Sequence, residues 1–240
     1  MTEQLIQTTK TSTINDFTTS NTSSYNIYNN PNIFSPPSYS LSNTWTIATT
    51  NTQGFHDHSK RAIWFTYLEQ SPYQIIIHTE TNSKSNETHN WKIKNFQSWW
   101  HSSEVQFIGS DIGISLHYNI AKHVFKIQQW LGRIITLDLV FPHKRILRII
   151  AIYFPATQTT GKTQITSIIN KLISEAQFKQ WHTIIARDFN TVTNPQIDKS
   201  STNKTTKHHY RPTSQIIQNL IHEQFINTYR QMFPTRQQHT

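Results

Sequence analysis

Cysteine is absent from this 240-residue chain. That excludes disulfide bonds, thiolate zinc sites and cysteine nucleophiles, and with them any disulfide-linked partner, while leaving the redox compartment undecided. Carboxylates are scarce: 13 Asp and Glu face 22 Lys and Arg, for a formal net charge of +9. A cationic surplus of this size suits nucleic acid, phosphate esters or an anionic surface as partner, and it is also common in soluble proteins that bind no polyanion. Long apolar runs are missing too. None approaches the roughly 18 residues of a membrane-spanning helix, and the start, MTEQLIQTTK, has no basic segment leading into an apolar core. The expectation is a soluble, intracellular protein without a membrane partner. The length allows one sizeable domain, or one domain plus a tail.

Ser, Thr and Asn dominate residues 1–43, as in SNTSSYNIYNN. With so little periodicity to bury a face, this segment reads as a disordered or loosely attached leader, and residues 44–240 as the domain. WTIATTN (Trp45 to Asn51) alternates like a strand. HSKRAIWFTYLEQ (His58 to Gln70) follows as a helix, with Ser59 as its cap and Ile63, Trp64, Tyr67 and Leu68 along one face. YQIIIHTE (Tyr73 to Glu80) is a continuous apolar run, the pattern of a strand covered on both faces, and it ends in a carboxylate. Residues 81–103, with Trp91, Trp99 and Trp100, carry no period that places them.

Four further strands are expected: Ile112 to Tyr118, His123 to Trp130, Arg133 to Phe141 and Ile146 to Phe154. The short links NIAK, LG and PHKR suit hairpins, so these strands read as an antiparallel meander. KTQITSIINKLISEAQF (Lys162 to Phe178) places Ile165, Ile168, Ile169, Leu172, Ile173 and Ala176 at helical spacing. HTIIA then runs into Asp188 and Asn190. A polar loop (193–211) precedes a last amphipathic helix carrying Ile216, Ile217, Leu220 and Ile221. This order of elements packs as an α/β (α+β) domain, a four-layer sandwich of two mixed β-sheets flanked by helices.

Asn51, Glu80, Tyr153 and Asp188 each fall at or near the end of an expected strand, and Asn190 lies just beyond. In layered α/β folds the loops at strand ends converge on ligands, so these groups could form one site. Each also has a plain reading: Asn51 as a turn residue, Glu80 as a cap or solvated loop acid, Tyr153 as packing, Asp188 and Asn190 as an Asx-turn.

The order of these pieces resembles the endonuclease/exonuclease/phosphatase superfamily, the deoxyribonuclease I-like fold, and within it the endonuclease domains of LINE-type retrotransposons. The resemblance runs from Trp45 to Thr240. It is carried by Asn51 and Gly54 in TNTQGF, Glu80 in IIIHTET, GSDIGISL from Gly109, LGR ending at Arg133, IIAIYFP around Tyr153, RDFNTV with Asp188 and Asn190, and the closing INTYRQMFPTRQQHT with Arg230 and Thr240.

The resemblance implies Mg²⁺ or Mn²⁺ held by Glu80 with support from Asn51. It further implies that Asp188 aligns or deprotonates the attacking water, Asn190 binds the scissile phosphate, and Tyr153 donates its hydroxyl to a phosphate oxygen. Arg133, Arg230 and Thr240 are implied substrate contacts. Such chemistry needs a cation against the phosphoryl charge, a base for water and hydrogen-bond donors for the developing charge. DNA, met in the nucleus if the chain is a retroelement nuclease, is the implied substrate.

The chain also departs from the pattern. Arg187 stands where the family has glycine, which predicts a distorted loop or an ion pair with Asp188, and Asn227 replaces a family acid. The family continues with strands bearing an aspartate and a terminal Asp-His pair, so the expectation is a C-terminally truncated copy, its second sheet incomplete and its activity weakened or lost. In KHHY (Lys207 to Tyr210) the histidines read as a phosphate-binding patch or, less readily, a zinc site. Two rival functions stay open. One is a noncatalytic nucleic-acid-binding remnant using Lys144, Arg145, Arg148, Lys204, Lys207 and Arg211; the other is a phosphatase of the same fold.

Overall fold

Isoleucine builds the sheets. A computed structural model describes residues 10–15, 44–83, 88–102, 111–154, 159–188, 215–232 and 234–235. Its elements in chain order are β1 (Lys10–Asn15), β2 (Thr44–Asn51), α1 (His58–Gln70), β3 (Ile75–Thr79), β4 (Phe96–His101), β5 (Ile112–His117), α2 (Tyr118–Ala121), β6 (Val124–Trp130), β7 (Ile134–Phe141), β8 (Arg145–Tyr153), α3 (Thr159–Phe178), β9 (His182–Asp188), α4 (Gln215–His222) and α5 (Thr228–Met232). One sheet has the order β1-β2-β3-β5-β4 and the other β6-β7-β8-β9. Both are mixed: β2 and β3 are parallel, as are β8 and β9, and the other neighbours are antiparallel.

Alternation along each strand sorts side chains into layers. Ile75 and Ile77 of β3 and Ile112, Ile114 and Leu116 of β5 meet Ile135, Leu137 and Leu139 of β7 and Leu147, Ile149 and Ala151 of β8 in the core between the sheets. The intervening residues face outward to helices. Ile76 packs beneath α1 against Trp64, Phe65 and Leu68, while Ile150 and Ile152 pack beneath α3 and α4 against Ile165, Ile169, Leu172 and Ile216. Helix, sheet, sheet and helix therefore stack as four layers. With both faces covered, central strands read as continuous apolar runs, and every residue of β3 is buried. Each buried Ile contributes roughly 1.5–3 kcal/mol. Among the described residues no helix is long and apolar enough to cross a membrane.

The structure redraws several expectations. The four-strand meander is wrong at its first member: β5 lies between β3 and β4 in the first sheet, and only β6, β7 and β8 form the meander. The link read as a hairpin is the short helix α2, capped by His117, which carries the chain from one sheet to the other. Asp57, not Ser59, caps α1, its Oδ1 accepting from the Ser59 and Lys60 amides at 2.8 and 3.2 Å. The buried face of α1 is Trp64, Phe65 and Leu68, with Ile63 and Tyr67 exposed. Phe65 turns inward because the stretch that lacked a period supplies its partners: Trp91, Phe96 and Trp100 all join this core. Within the segment read as a leader, Lys10–Asn15 forms an edge strand antiparallel to β2; the rest of 1–43 lies outside the described residues.

Arg148 is also not the surface cation expected of it. It sits opposite Asp138 in the β7–β8 register, beneath α3. Nε and Nη2 donate to the two Asp138 oxygens at 2.7 and 2.9 Å, and Nη1 donates to Glu175 Oε2 at 2.9 Å and the Leu172 carbonyl at 3.0 Å. A fully buried, fully engaged guanidinium is unavailable to phosphate, so the nucleic-acid-binding alternative loses that residue.

Candidate active site

At one rim of the sandwich, two pairs of parallel strands end side by side. Asn51 of β2 lies in register with Thr79 of β3, and Tyr153 of β8 with Asp188 of β9. The pairs meet across the core, where β9 packs against β2 and β3. Parallel neighbours finish at the same edge, which is why ligand sites gather at carboxyl ends of strands.

Glu80 follows β3 directly, with its backbone in the left-handed region at φ +55°. Its Oε1 accepts a hydrogen bond from Tyr153 Oη at 3.0 Å. Since Tyr153 belongs to the other sheet, this bond joins the two strand ends across the rim. The Arg133 guanidinium lies over the Tyr153 ring, 5.3 Å from its centroid. Arg133 is buried; burial lowers its pKa, and the neighbouring Tyr153 and Asp111 pull the other way.

Asn51 Oδ1 accepts from the Gln53 amide at 3.0 Å, so its side chain does shape a turn. That turn is stitched to the end of β3: the Thr52, Gly54 and Phe55 amides donate to the Thr79, Glu80 and Thr81 carbonyls at 2.9, 2.8 and 2.8 Å. On the far side, the Thr81 amide donates to the Asp111 carbonyl at 3.3 Å, and the Asp111 amide to the Gly132 carbonyl at 3.1 Å. Gln53, Glu80, Asn82, Asp111 and Leu131 all have positive φ. Left-handed non-glycine residues are costly and cluster where a surrounding framework over-determines them. At the same rim His101, opposite Ile112 in the β4–β5 register, donates to the Trp130 carbonyl, and burial lowers its pKa.

The structure thus brings together Glu80, Tyr153, Asn51 and Arg133, with the Asp188 backbone beside Tyr153. The Asp188 and Arg187 side chains lie outside the described residues. β9 stays paired through Arg187, which is opposite Ile152, so at this strand position the backbone is extended and needs no glycine. Arg230 lies on α5 with its side chain outside the described residues. Asn190, Thr240, Gly109, the KHHY histidines, Lys204 and Arg211 also fall outside them. Sequence reasoning missed Thr52, Asp111 and His101. The one available signal was a threonine between the turn-forming Asn51 and Gly54.

The resemblance seen in the sequence implies a divalent cation, and the donor chemistry at this rim fits one. Mg²⁺ takes hard oxygens, keeps several waters and needs only one or two protein carboxylates beside a substrate phosphate. Glu80 supplies a half-buried carboxylate with an amide-bearing Asn51 in the neighbouring strand. Among the described residues no three His, Asp or Glu side chains gather, a set that Mg²⁺ does not require.

No family model matches the chain, and no curated protein does. Solved structures do. The chain is similar to the catalytic domain of APE2 from Xenopus laevis, with a TM-score of 0.61 and 14% identity over 80% of this chain and 73% of that one. It is similar to the AP endonuclease LMAP from Leishmania major, with a TM-score of 0.63 and 12% identity over 81% and 71% of the two chains. At such identities the likeness is one of fold: two mixed sheets with flanking helices, as in endonuclease/exonuclease/phosphatase, deoxyribonuclease I-like proteins.

Proposed function

We propose that this chain is a Mg²⁺-dependent endonuclease of retroelement type that hydrolyses phosphodiester bonds in DNA, acting where nuclear DNA is met. The observation that carries the reading is the 3.0 Å hydrogen bond from Tyr153 Oη to Glu80 Oε1, which joins the catalytic-edge strands of the two sheets. The AP endonuclease among the similar structures and the formal charge of +9 favour DNA over a small phosphoester.

In this reading Glu80, with Asn51 beside it, holds the cation, which when bound supplies positive charge against the phosphoryl oxygens. Asp188 aligns the attacking water and takes its proton as the water oxygen bonds to phosphorus. The bond from phosphorus to the leaving sugar oxygen breaks, and that oxygen takes a proton from solvent and leaves as the product alcohol. On substrate binding Tyr153 turns its one hydroxyl proton from the Glu80 carboxylate, which then faces the cation, to a phosphate oxygen, and Asn190 donates its amide, while buried Arg133 keeps the Tyr153 ring in place. Arg230 and Thr240 are the outlying substrate contacts of the proposal.

Nicking of supercoiled plasmid by the purified chain tests it. Nicking in Mg²⁺ that stops with EDTA and is abolished by both Glu80→Ala and Asp188→Ala is the expected result. Salt-sensitive DNA binding that persists in EDTA, with no nicking, would overturn the enzymatic reading in favour of a binding module.

A further inference from the structure

We propose that Thr52 is a positioning residue for Glu80: it pins the peptide groups on both sides of the Glu80 α-carbon and so fixes the direction of the carboxylate. The inference deepens the proposed function and rests on reading Glu80 as the carboxylate that holds the cation.

Two dihedral angles orient a residue, one set by each flanking peptide plane. The peptide before Glu80 begins with the Thr79 carbonyl, which accepts from the Thr52 amide at 2.9 Å and from Thr52 Oγ1 at 3.0 Å. The peptide after Glu80 begins with its own carbonyl, which lies 3.0 Å from the same Thr52 Oγ1 and accepts from the Gly54 amide at 2.8 Å. The far end of that second peptide, the Thr81 amide, is held by the Asp111 carbonyl. One buried hydroxyl, on a residue 6% exposed, therefore bridges both planes.

The bridging matters because φ at Glu80 is +55°. An L-residue with a Cβ disfavours that region, so an unconstrained Glu80 would relax toward an ordinary strand conformation and swing its carboxylate away from Tyr153. The clasp is itself anchored. Lys60 Nζ, from the first turn of α1, donates to the Thr52 and Gln53 carbonyls at 2.7 and 3.1 Å. Gly54, at φ +87°, closes the turn at a place where a Cβ would come 3.2 Å from the Asn82 side chain. Backbone amides hold each of the two carbonyls separately, and the Thr52 hydroxyl is the group that reaches both of them at once.

Thr52→Val keeps the volume and the backbone bonds and removes only the hydroxyl; Thr52→Ser restores it. The readout is the ¹³Cζ resonance of Tyr153 in tyrosine-labelled protein, with Glu80→Gln marking where the signal goes when the tyrosine loses its carboxylate acceptor. The expected result is a Thr52→Val signal displaced toward the Glu80→Gln position, a Thr52→Ser signal at the wild-type position, and a nicking rate in Mg²⁺ about tenfold lower for Thr52→Val alone. A wild-type Tyr153 signal in folded Thr52→Val overturns the proposal. If Val at this position prevents folding, Thr52→Ala is read by the same criterion. A wild-type chain that does not nick at all would overturn the role of Glu80, while the Tyr153 signal would still decide the role of Thr52.

Discussion

Tyr153 and Arg148 occupy the same strand, one facing the core between the sheets and the other the helical layer, and deleting a polar group has opposite consequences at the two places. Tyr153→Phe removes a hydroxyl at the rim, where the half-buried Glu80 carboxylate it bonds can turn to water. The fold should be untouched: the melting temperature is expected to stay near that of the wild type. If the hydroxyl donates to a phosphate oxygen, plasmid nicking should fall by about 10²-fold, the usual loss for one transition-state donor. A wild-type rate would remove Tyr153 from the chemistry. Arg148→Met does the reverse, sparing the rim and leaving Asp138 as an uncompensated charge with its side chain 1% exposed. Breaking a buried pair this way costs about 3–5 kcal/mol. Urea unfolding should show that loss, whereas Lys179→Ala, at the exposed end of the Glu175 cluster, should cost below about 1 kcal/mol.

β5 is the element whose place depends most on a single small residue. Gly113 faces Trp100 across the β4–β5 register, and a Cβ there would overlap the indole ring. Trp100 is wedged among Phe55, Phe65, His78 and Trp91, so it has little room to withdraw. Gly113→Ala is expected to cost about 1–3 kcal/mol, as overpacking does, and to alter the near-ultraviolet circular dichroism of the tryptophan cluster. An unchanged spectrum and unfolding midpoint would show that the ring moves freely. This pairing also shows why part of the fold was illegible in the sequence. Strands such as β3, β7 and β8 announce themselves through runs of isoleucine, and α3 through isoleucines at helical spacing, because burial alone dictates those patterns. β4 does not, since Trp99 and Trp100 sit among polar residues on an edge strand and Trp100 makes sense only beside Gly113. Nor does local sequence say which sheet β5 joins. At the rim the same division holds. The strand-end polar residues could be picked out by position, whereas Thr52 depends on a turn whose geometry exists only once β2 and β3 are paired.

Across the whole molecule, buried titratable groups make stability depend on pH in one direction. His78 is fully buried on β3, its Nε2 sharing a hydrogen bond of 3.0 Å with Ser115 Oγ, and burial pushes its pKa down from 6.5 to about 3. The unfolded chain therefore binds a proton that the folded one refuses between those values, so stability falls as pH drops from about 6.5 toward 3. His101 and His123, also lowered by burial, add in the same sense. Glu175, held down to about 2 by Lys179 and then Arg148, contributes stability that is present above its ordinary 4.5 and lost as pH falls through 2. These windows separate the causes. Between pH 6.5 and about 5.5 the Glu175 carboxylate is ionised in both states, leaving the histidines to set the slope, and His78 alone can supply up to about 1.4 kcal/mol per pH unit. Urea unfolding at intervals of pH should show stability declining through this window, and a shallower decline in His78→Gln, whose side chain can still bond Ser115 but takes no proton. Parallel curves for the two proteins would mean that His78 is solvated enough to titrate in the folded state. The layer beneath α1 would then be looser than the packing of Phe55 and Trp100 against its ring implies.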